Sequence, residues 1–202
     1  HDFMEGGNTL EDYQKIAPLL EKAGVQALNI AAGWHESSVP VSVAMVPQGG
    51  FAYLSEGIKK VVKIPVISGY RIVSPLVAAE ILNKNQADLV GMARALMCEP
   101  DLPNKVKAGL LDEVRPCIAC CRCLDMALDD KTSLCSSNAR LARELEMVIK
   151  KAGKPKKVFV IGGGPGGMEA ARVAAMRGHQ VTLFEKKQSL GGVLPAAAMP
   201  PY

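Results

Sequence analysis

Val158-Phe-Val-Ile-Gly162-Gly-Gly164-Pro165-Gly166-Gly167 is the stretch on which the fold turns. Four apolar residues run straight into a glycine cluster, and Met168, Ala171, Val173 and Ala174 then recur at helical spacing. A second apolar run, Val181-Thr-Leu-Phe184, ends at Glu185. Strand, G-x-G-x-x-G turn, helix, strand and an acid about 20 residues on make the nucleotide-binding βαβ pattern. The glycines let backbone N–H groups approach a pyrophosphate at the positive end of a helix. A carboxylate closing the second strand accepts hydrogen bonds from a ribose. Gly162, Gly164, Pro165, Gly166, Gly167 and Glu185 are therefore the expected nucleotide contacts. The alternative, a glycine turn that holds no nucleotide, is disfavoured by the full context, although the turn alone does not separate FAD from NAD.

Upstream of this stretch five of the six cysteines cluster: Cys117, Cys120, Cys121, Cys123 and Cys135. The spacing Cys117-x2-Cys120-x2-Cys123-x11-Cys135 brings three close thiolates and one distant one, enough to wrap a tetrahedral metal or a cubane iron–sulfur cluster. Zinc more often shows two separated C-x-x-C pairs, so the tight grouping favours iron–sulfur. Cys121 is the spare thiol and reads as packing, with a ligand role in place of Cys120 or Cys123 as the alternative, and Cys98 reads as a small core residue. No export signal opens the chain, and clustered thiols suit a reducing compartment, so a cytoplasmic location is expected.

Further upstream the texture changes again. Thr9 is a good helix N-cap, with Ile16, Leu19 and Leu20 at helical spacing and Gly24 as the stop. Ala27–Ala31 reads as a strand, residues 51–62 as a helix, Ile64–Ile67 as a short buried strand, Ser74 as the cap of a third helix, residues 88–91 as a strand and Leu102–Leu111 as a helix. Short strands, apolar on both faces and separated by helices, are the mark of parallel βα units. They fit part of a (β/α)8 barrel or part of a doubly wound sheet. The expected organisation is residues 1–112 as βα units, 113–153 as the cysteine segment and 154–202 as the start of a nucleotide domain.

Two constellations sit where such strands end. Arg71 follows the strand ending near Ser68, and Arg94 the one ending near Gly91. If these are the last two strands of a barrel, Gly69, Arg71, Ala93 and Arg94 line a phosphate pocket. For either arginine alone a surface ion pair is an even alternative. Gly33-Trp-His35-Glu36 follows the Ala27–Ala31 strand. A single histidine is more often structural, but at that end His35 has the pKa range for proton transfer, with Glu36 orienting it or facing solvent.

Composition sets bounds on partners. Of the 202 residues, 49% are hydrophobic and 22% charged, which excludes wholesale disorder. A net charge of +4 with 4% aromatic residues leaves no footprint for nucleic acid. No apolar run approaches the roughly 18 residues of a membrane span. A start at His1 and an end soon after a new segment begins read as part of a longer polypeptide, whose remainder is the expected partner.

Ile64-Pro-Val-Ile67 leading to Tyr70-Arg71-Ile72, then Ala87–Arg94, then Arg115-Pro-Cys-Ile-Ala-Cys120, in that order, resemble the NADH:flavin oxidoreductases of the old yellow enzyme-like iron–sulfur branch. Gly33–Glu36 with Val39-Pro40 and Val46-Pro47 is most similar to the bacterial 2,4-dienoyl-CoA reductases. Gly162–Gly167, Glu185 and Gly191-Gly192 resemble that family's FAD domain and tilt the nucleotide towards FAD, adding Gly192 to its contacts. The resemblance covers essentially the whole chain. It implies α/β architecture: the C-terminal part of a flavin-binding (β/α)8 barrel, a 4Fe-4S segment and the start of a Rossmann-like FAD domain. It also implies electron flow from NAD(P)H through FAD and the cluster to FMN, and on to an enoyl or dienoyl thioester or an enoate. Arg71, Ala93 and Arg94 would hold the FMN phosphate, His35 would face substrate, and Cys117, Cys120, Cys123 and Cys135 would hold the cluster. The two-residue gap between Cys120 and Cys123 resembles the trimethylamine dehydrogenases instead, which makes amine oxidation the second expectation. A third is a non-catalytic electron-transfer remnant.

Overall fold

The structure is a computed structural model and describes residues 1–34 and 37–199. The chain divides into two compact units, His1–Ala142 and Arg143–Tyr202.

In the first unit, α1 (Leu10–Lys22) opens on a capping box. Thr9 Oγ1 accepts the Asp12 N–H at 3.3 Å, and Asp12 accepts the Thr9 N–H at 3.0 Å. It closes at Gly24, where φ of +98° lets the Val25 N–H reach back to the Leu20 carbonyl. Its buried Ala17 packs with Ile58 of α2 (Ala52–Lys59) and Val66 of β2 (Val66–Ser68). The two helices are stitched by Gln14 Nε2, which donates to the Gly57 carbonyl at 2.9 Å.

β1 (Leu28–Ile30), β2 and β3 (Leu89–Val90) form one parallel sheet in that order, with Leu28 opposite Val66 and Ile67 opposite Leu89. β2 is central and buried at Val66 and Ser68. Asp88 ties it to β3 by accepting the Val66 N–H at 2.9 Å, and also takes Lys59 Nζ at 2.6 Å. Between β2 and β3 runs α3 (Pro75–Asn83), capped by Ser74 and buried through Ala78 and Ile81 against Ile72 and Ala87. These are parallel βα repeats, so the segments after β1, β2 and β3 all leave the sheet at one edge.

Three boundaries differ from the sequence reading. α5 (Leu102–Lys107) stops four residues short of Leu111 because Gly109, at φ +74°, turns the chain into a 3-10 turn at Leu111–Glu113. α4 (Ala93–Cys98) and α6 (Arg122–Leu128) were not expected: the first follows β3 almost directly and the second sits among the cysteines. The strands are also less enclosed than an apolar-both-faces reading implies. Leu89 on the outer strand β3 is 50% exposed among the described residues.

In the second unit, β4 (Lys157–Ile161) and β5 (Gln180–Phe184) pair in parallel over their full length, joined by α7 (Pro165–Met176). This is the strand–turn–helix–strand order the glycine stretch predicts. His179 fastens the start of the pair: its Nδ1 accepts the Lys156 N–H at 3.1 Å. A short α8 (Leu194–Ala197) follows Gly191-Gly192. Among the described residues no helix is long and apolar enough to cross a membrane.

Candidate functional site

The edge where β2 and β3 end carries two arginines. Tyr70 and Arg71 are consecutive left-handed residues, at φ 62° and 52°, a conformation that costs energy for any residue with a Cβ. That double turn sends the Arg71 side chain inward, leaving the residue 6% exposed. Arg71 Nε donates to the Val46 carbonyl at 2.8 Å and Nη2 to the Ala44 carbonyl at 3.2 Å. Arg94, in the first turn of α4, donates Nη1 to the Ser42 carbonyl at 2.6 Å. One turn of backbone, closed by the Val46 N–H to the Val43 carbonyl, thus grips both guanidiniums with the carbonyls of residues 42, 44 and 46.

Among the described residues neither arginine has a carboxylate partner. Arg71 Nη1 is buried with no hydrogen-bond partner at all. Burial first, and the Arg94 charge second, pull the Arg71 guanidinium below its ordinary pKa. Carbonyl dipoles satisfy donors but do not cancel two like charges, so the arrangement is complete only with an anion. A phosphate fits the orphaned donor. Gly69 directly follows β2 and Ala93 opens α4, so both flank this edge as expected.

The cysteine segment lies in the same unit. Its entrance is held by Cys98, fully buried, whose thiol donates to the carbonyls of Arg115 (3.6 Å) and Pro116 (3.4 Å). Burial, with Cys135 nearby, pushes the Cys98 thiol up to about 12, so it stays protonated and structural. The exit is held by Asn138, buried, which donates Nδ2 to the Met97 carbonyl at 2.8 Å. Between these fastenings all five remaining cysteines line one recess of about 20 Å³, together with Arg94 and Met97. Ser136 beside Cys120 holds that thiol below the ordinary cysteine pKa, whereas burial raises Cys123. The Ser137 N–H donates to Cys135 Sγ at 3.4 Å.

A lone zinc would hold each sulfur about 2.3 Å from one point. Among the described residues no three His, Cys, Asp or Glu side chains are arranged to grip a single ion. Soft thiolates gathered around one recess are the donor set an iron–sulfur cluster uses. Lining the recess does not separate the four expected ligands from Cys121, and neither does hydrogen bonding as such, since the Cys120 thiol donates to Ser136 Oγ at 3.4 Å. The Cys121 thiol is engaged by the Ser42 and Ala119 carbonyls at 3.5 Å and receives Arg94 Nη1 at 3.7 Å.

In the second unit the glycine turn is built by close approach. A Cβ on Gly167 would collide with the Gly162 carbonyl, and one on Gly192 would stand 3.0 Å from Gly164 Cα. The Gly191 N–H meets the Gly163 carbonyl at 2.8 Å, so the double glycine folds over the turn. Gly164 caps α7 without a side-chain bond, and since Pro165 carries no N–H, the first-turn donors are those of Gly166 and Gly167. Glu185, one residue past β5, accepts the Gly163 N–H at 2.6 Å and the Lys187 N–H at 2.9 Å. Those bonds hold its carboxyl below the usual carboxylate pKa. A glycine-rich cradle beside an ionised acid fits an adenine dinucleotide.

His35 and Glu36 lie outside the described residues. Next to them, Trp34 is exposed and its N–H is taken by Ser37 Oγ at 2.8 Å, on the edge where β1 ends. A cavity of about 510 Å³ there is lined by Tyr13, Asn29, Trp34 and Ile58 among others. The sequence reading missed the carbonyl grip of residues 42–46 and the tie from Arg94 to Cys121. Backbone acceptors leave no side-chain signal to find.

The family profile described as NADH:flavin oxidoreductase / NADH oxidase matches residues 2–113, and that of FAD dependent oxidoreductases matches residues 157–202. The chain is 46% identical over 202 residues to the metal reductase of Desulforamulus reducens, covering 100% of this chain and 30% of that protein. It is 45% identical over 204 residues to the NADH oxidase of Thermoanaerobacter brockii, covering 99% and 31%. A solved 2-naphthoyl-CoA reductase in complex with 2-naphthoyl-CoA superposes with a TM-score of 0.90 at 38% identity, covering 95% of this chain and 30% of that one. The chain thus spans about 30% of the length of these relatives.

Proposed function

The chain belongs to the NADH:flavin oxidoreductase / NADH oxidase family, and from that premise we propose that it is the segment of an NAD(P)H-dependent flavoenzyme that joins an FMN site to an electron-supplying FAD site. On this reading residues 1–112 are the C-terminal part of a (β/α)8 barrel, 113–153 the 4Fe-4S segment and 154–202 the beginning of the FAD domain. The substrate class is an activated C=C bond, of an enoate or an unsaturated acyl thioester. The likeness to 2-naphthoyl-CoA reductase supports a thioester without selecting the 2,4-dienoyl kind.

The observation that carries the reading is Arg94. Its Nη1 is shared between the Ser42 carbonyl and Cys121 Sγ, so an anion site stands directly against the cysteine recess. Bound at these places, flavins would convert a two-electron hydride into single electrons and back, and a cluster would carry the single electrons between them. The residues supply the placement. Arg71, with its free Nη1, and Arg94 would hold the FMN phosphate beside Gly69 and Ala93. Cys117, Cys120, Cys123 and Cys135 would hold the cluster, and Cys98 and Asn138 fasten the ends of their segment. The glycine cradle, Gly192 and Glu185 would seat the FAD pyrophosphate and ribose. His35, which follows β1 in sequence, would deliver a proton to the reduced carbon or polarise the carbonyl.

The test uses the full-length protein under anaerobic conditions, with flavin absorbance as the readout. NADH or NADPH should bleach the flavins, and an enoate or enoyl thioester should restore their colour. The Cys120–Cys123 spacing supports a second reading, amine oxidation, in which sarcosine or trimethylamine bleaches the flavin and NAD(P)H does not. Bleaching by neither donor, in protein that holds its flavins, would leave only the non-catalytic reading.

A further inference from the structure

Cys121 differs from the other cysteines in its backbone conformation and in being tied to two distant segments, at Ser42 and Arg94. It is left-handed, at φ 58° and ψ 7°, immediately before α6 begins. Such a turn is uncommon for a residue with a Cβ and persists where surrounding contacts hold it. Those contacts converge on one place. Ser42, 79 residues away in sequence, accepts the Cys121 thiol at 3.5 Å and Arg94 Nη1 at 2.6 Å through the same carbonyl. Arg94 Nη1 in turn reaches Cys121 Sγ at 3.7 Å. Three distant pieces of chain therefore close a triangle: the carbonyl grip, the first turn of α4 and the cysteine loop. The same grip holds Arg71, which is 6% exposed and carries the buried, unpartnered Nη1. Moving Cys121 frees one side of Arg94 and loosens the grip that also aims Arg71.

We propose that Cys121 is not a cluster ligand but the positioning residue that locks Arg94 to the Ser42 carbonyl, so that phosphate binding at the arginine pair and retention of the cluster at the neighbouring cysteines are thermodynamically coupled. The inference rests on the phosphate-and-cluster reading above. Coupling of this kind is reciprocal: whatever favours the locked triangle on one side favours it on the other.

The experiment uses full-length protein and the variants Cys121→Ala and Cys121→Ser. FMN affinity of flavin-stripped protein is read by fluorescence quenching, with inorganic phosphate as competitor. Iron and acid-labile sulfide are counted per chain. Cys121→Ala should keep the wild-type iron count but bind FMN about three- to tenfold more weakly, the range for one ordinary lost hydrogen bond. Cys121→Ser, which can donate to Ser42 and accept from Arg94, should recover most of the affinity. Stripping FMN should hasten iron loss in the wild type and not in Cys121→Ala. Loss of iron in Cys121→Ala would make Cys121 a ligand and overturn the proposal, as would unchanged FMN affinity with unchanged iron. Wild-type protein that binds neither FMN nor phosphate would overturn the underlying phosphate reading, and this one with it.

Discussion

Glu185 shows how one side chain reports on a whole turn. Its carboxylate is bonded to the N–H groups of Gly163 and Lys187, which lowers its pKa in the folded chain. The ionised acid is therefore the form that folding favours. Its contribution is present above the ordinary glutamate value of about 4.3 and is lost as pH falls through the lower, folded value. The Gly163 amide signal in an 15N-labelled sample should accordingly titrate with a midpoint below about 4.3, and Glu185→Gln should abolish that inflection. A midpoint at or above the ordinary value would contradict the hydrogen-bonding seen here. Glu185 was legible because motif spacing places an acid at the second strand's end. Arg71 and Arg94 were legible as residues following strands, but their partners were not, because carbonyl groups belong to every residue alike. Cys121 could be named as the spare thiol from spacing, yet its bond to Ser42 spans a separation no local pattern encodes.

At the level of elements, the glycine turn and α7 test most directly. Gly167 abuts the Gly162 carbonyl so closely that a methyl group has no room. Gly167→Ala should push helix and turn apart, lowering stability by about 1–3 kcal/mol as overpacking does, and weakening FAD binding with it. Thermal unfolding and FAD titration of the full-length protein check both, and unaltered melting would mean that the turn relaxes freely. Helices with caps were readable: Thr9 and Ser74 start α1 and α3 where their side chains accept backbone N–H groups. α4 and α6 were not. Ala93–Cys98 and Arg122–Leu128 consist largely of good helix formers, but each is too short for periodicity to speak: α4 follows β3 almost directly, and α6 lies among the cysteines. α5 ended early for a local reason, the left-handed Gly109.

Over the whole chain, the buried apolar clusters among the described residues lie in the first unit, and the second leaves apolar surface open. Phe159, Ile161 and Phe184 share one face of the β4–β5 pair and are 67%, 90% and 53% exposed among the described residues. The alternation along both strands leaves Val158, Val160, Val181 and Leu183 only partly covered on the other face. An apolar face of this kind marks an interaction or aggregation surface. The isolated 202-residue chain should therefore enhance the fluorescence of a hydrophobic dye such as ANS, and Ile161→Lys should remove much of that signal. Dye binding unaffected by the substitution would place the open surface elsewhere. The sequence reading expected strands apolar on both faces, and Phe159, Ile161 and Phe184 are apolar as expected but lie on an open face.

The carbonyl grip on Arg71 and Arg94 has an evolutionary consequence. Recognition there is written in the peptide groups of residues 42, 44 and 46, which any substitution retains. The anion site therefore constrains the course of the backbone at Ser42, Ala44 and Val46 rather than their side chains, and Val46 is constrained separately by its packing against the cluster of Phe51 and Leu54. A site assembled in this way stays hidden from any comparison that weighs only side-chain identity.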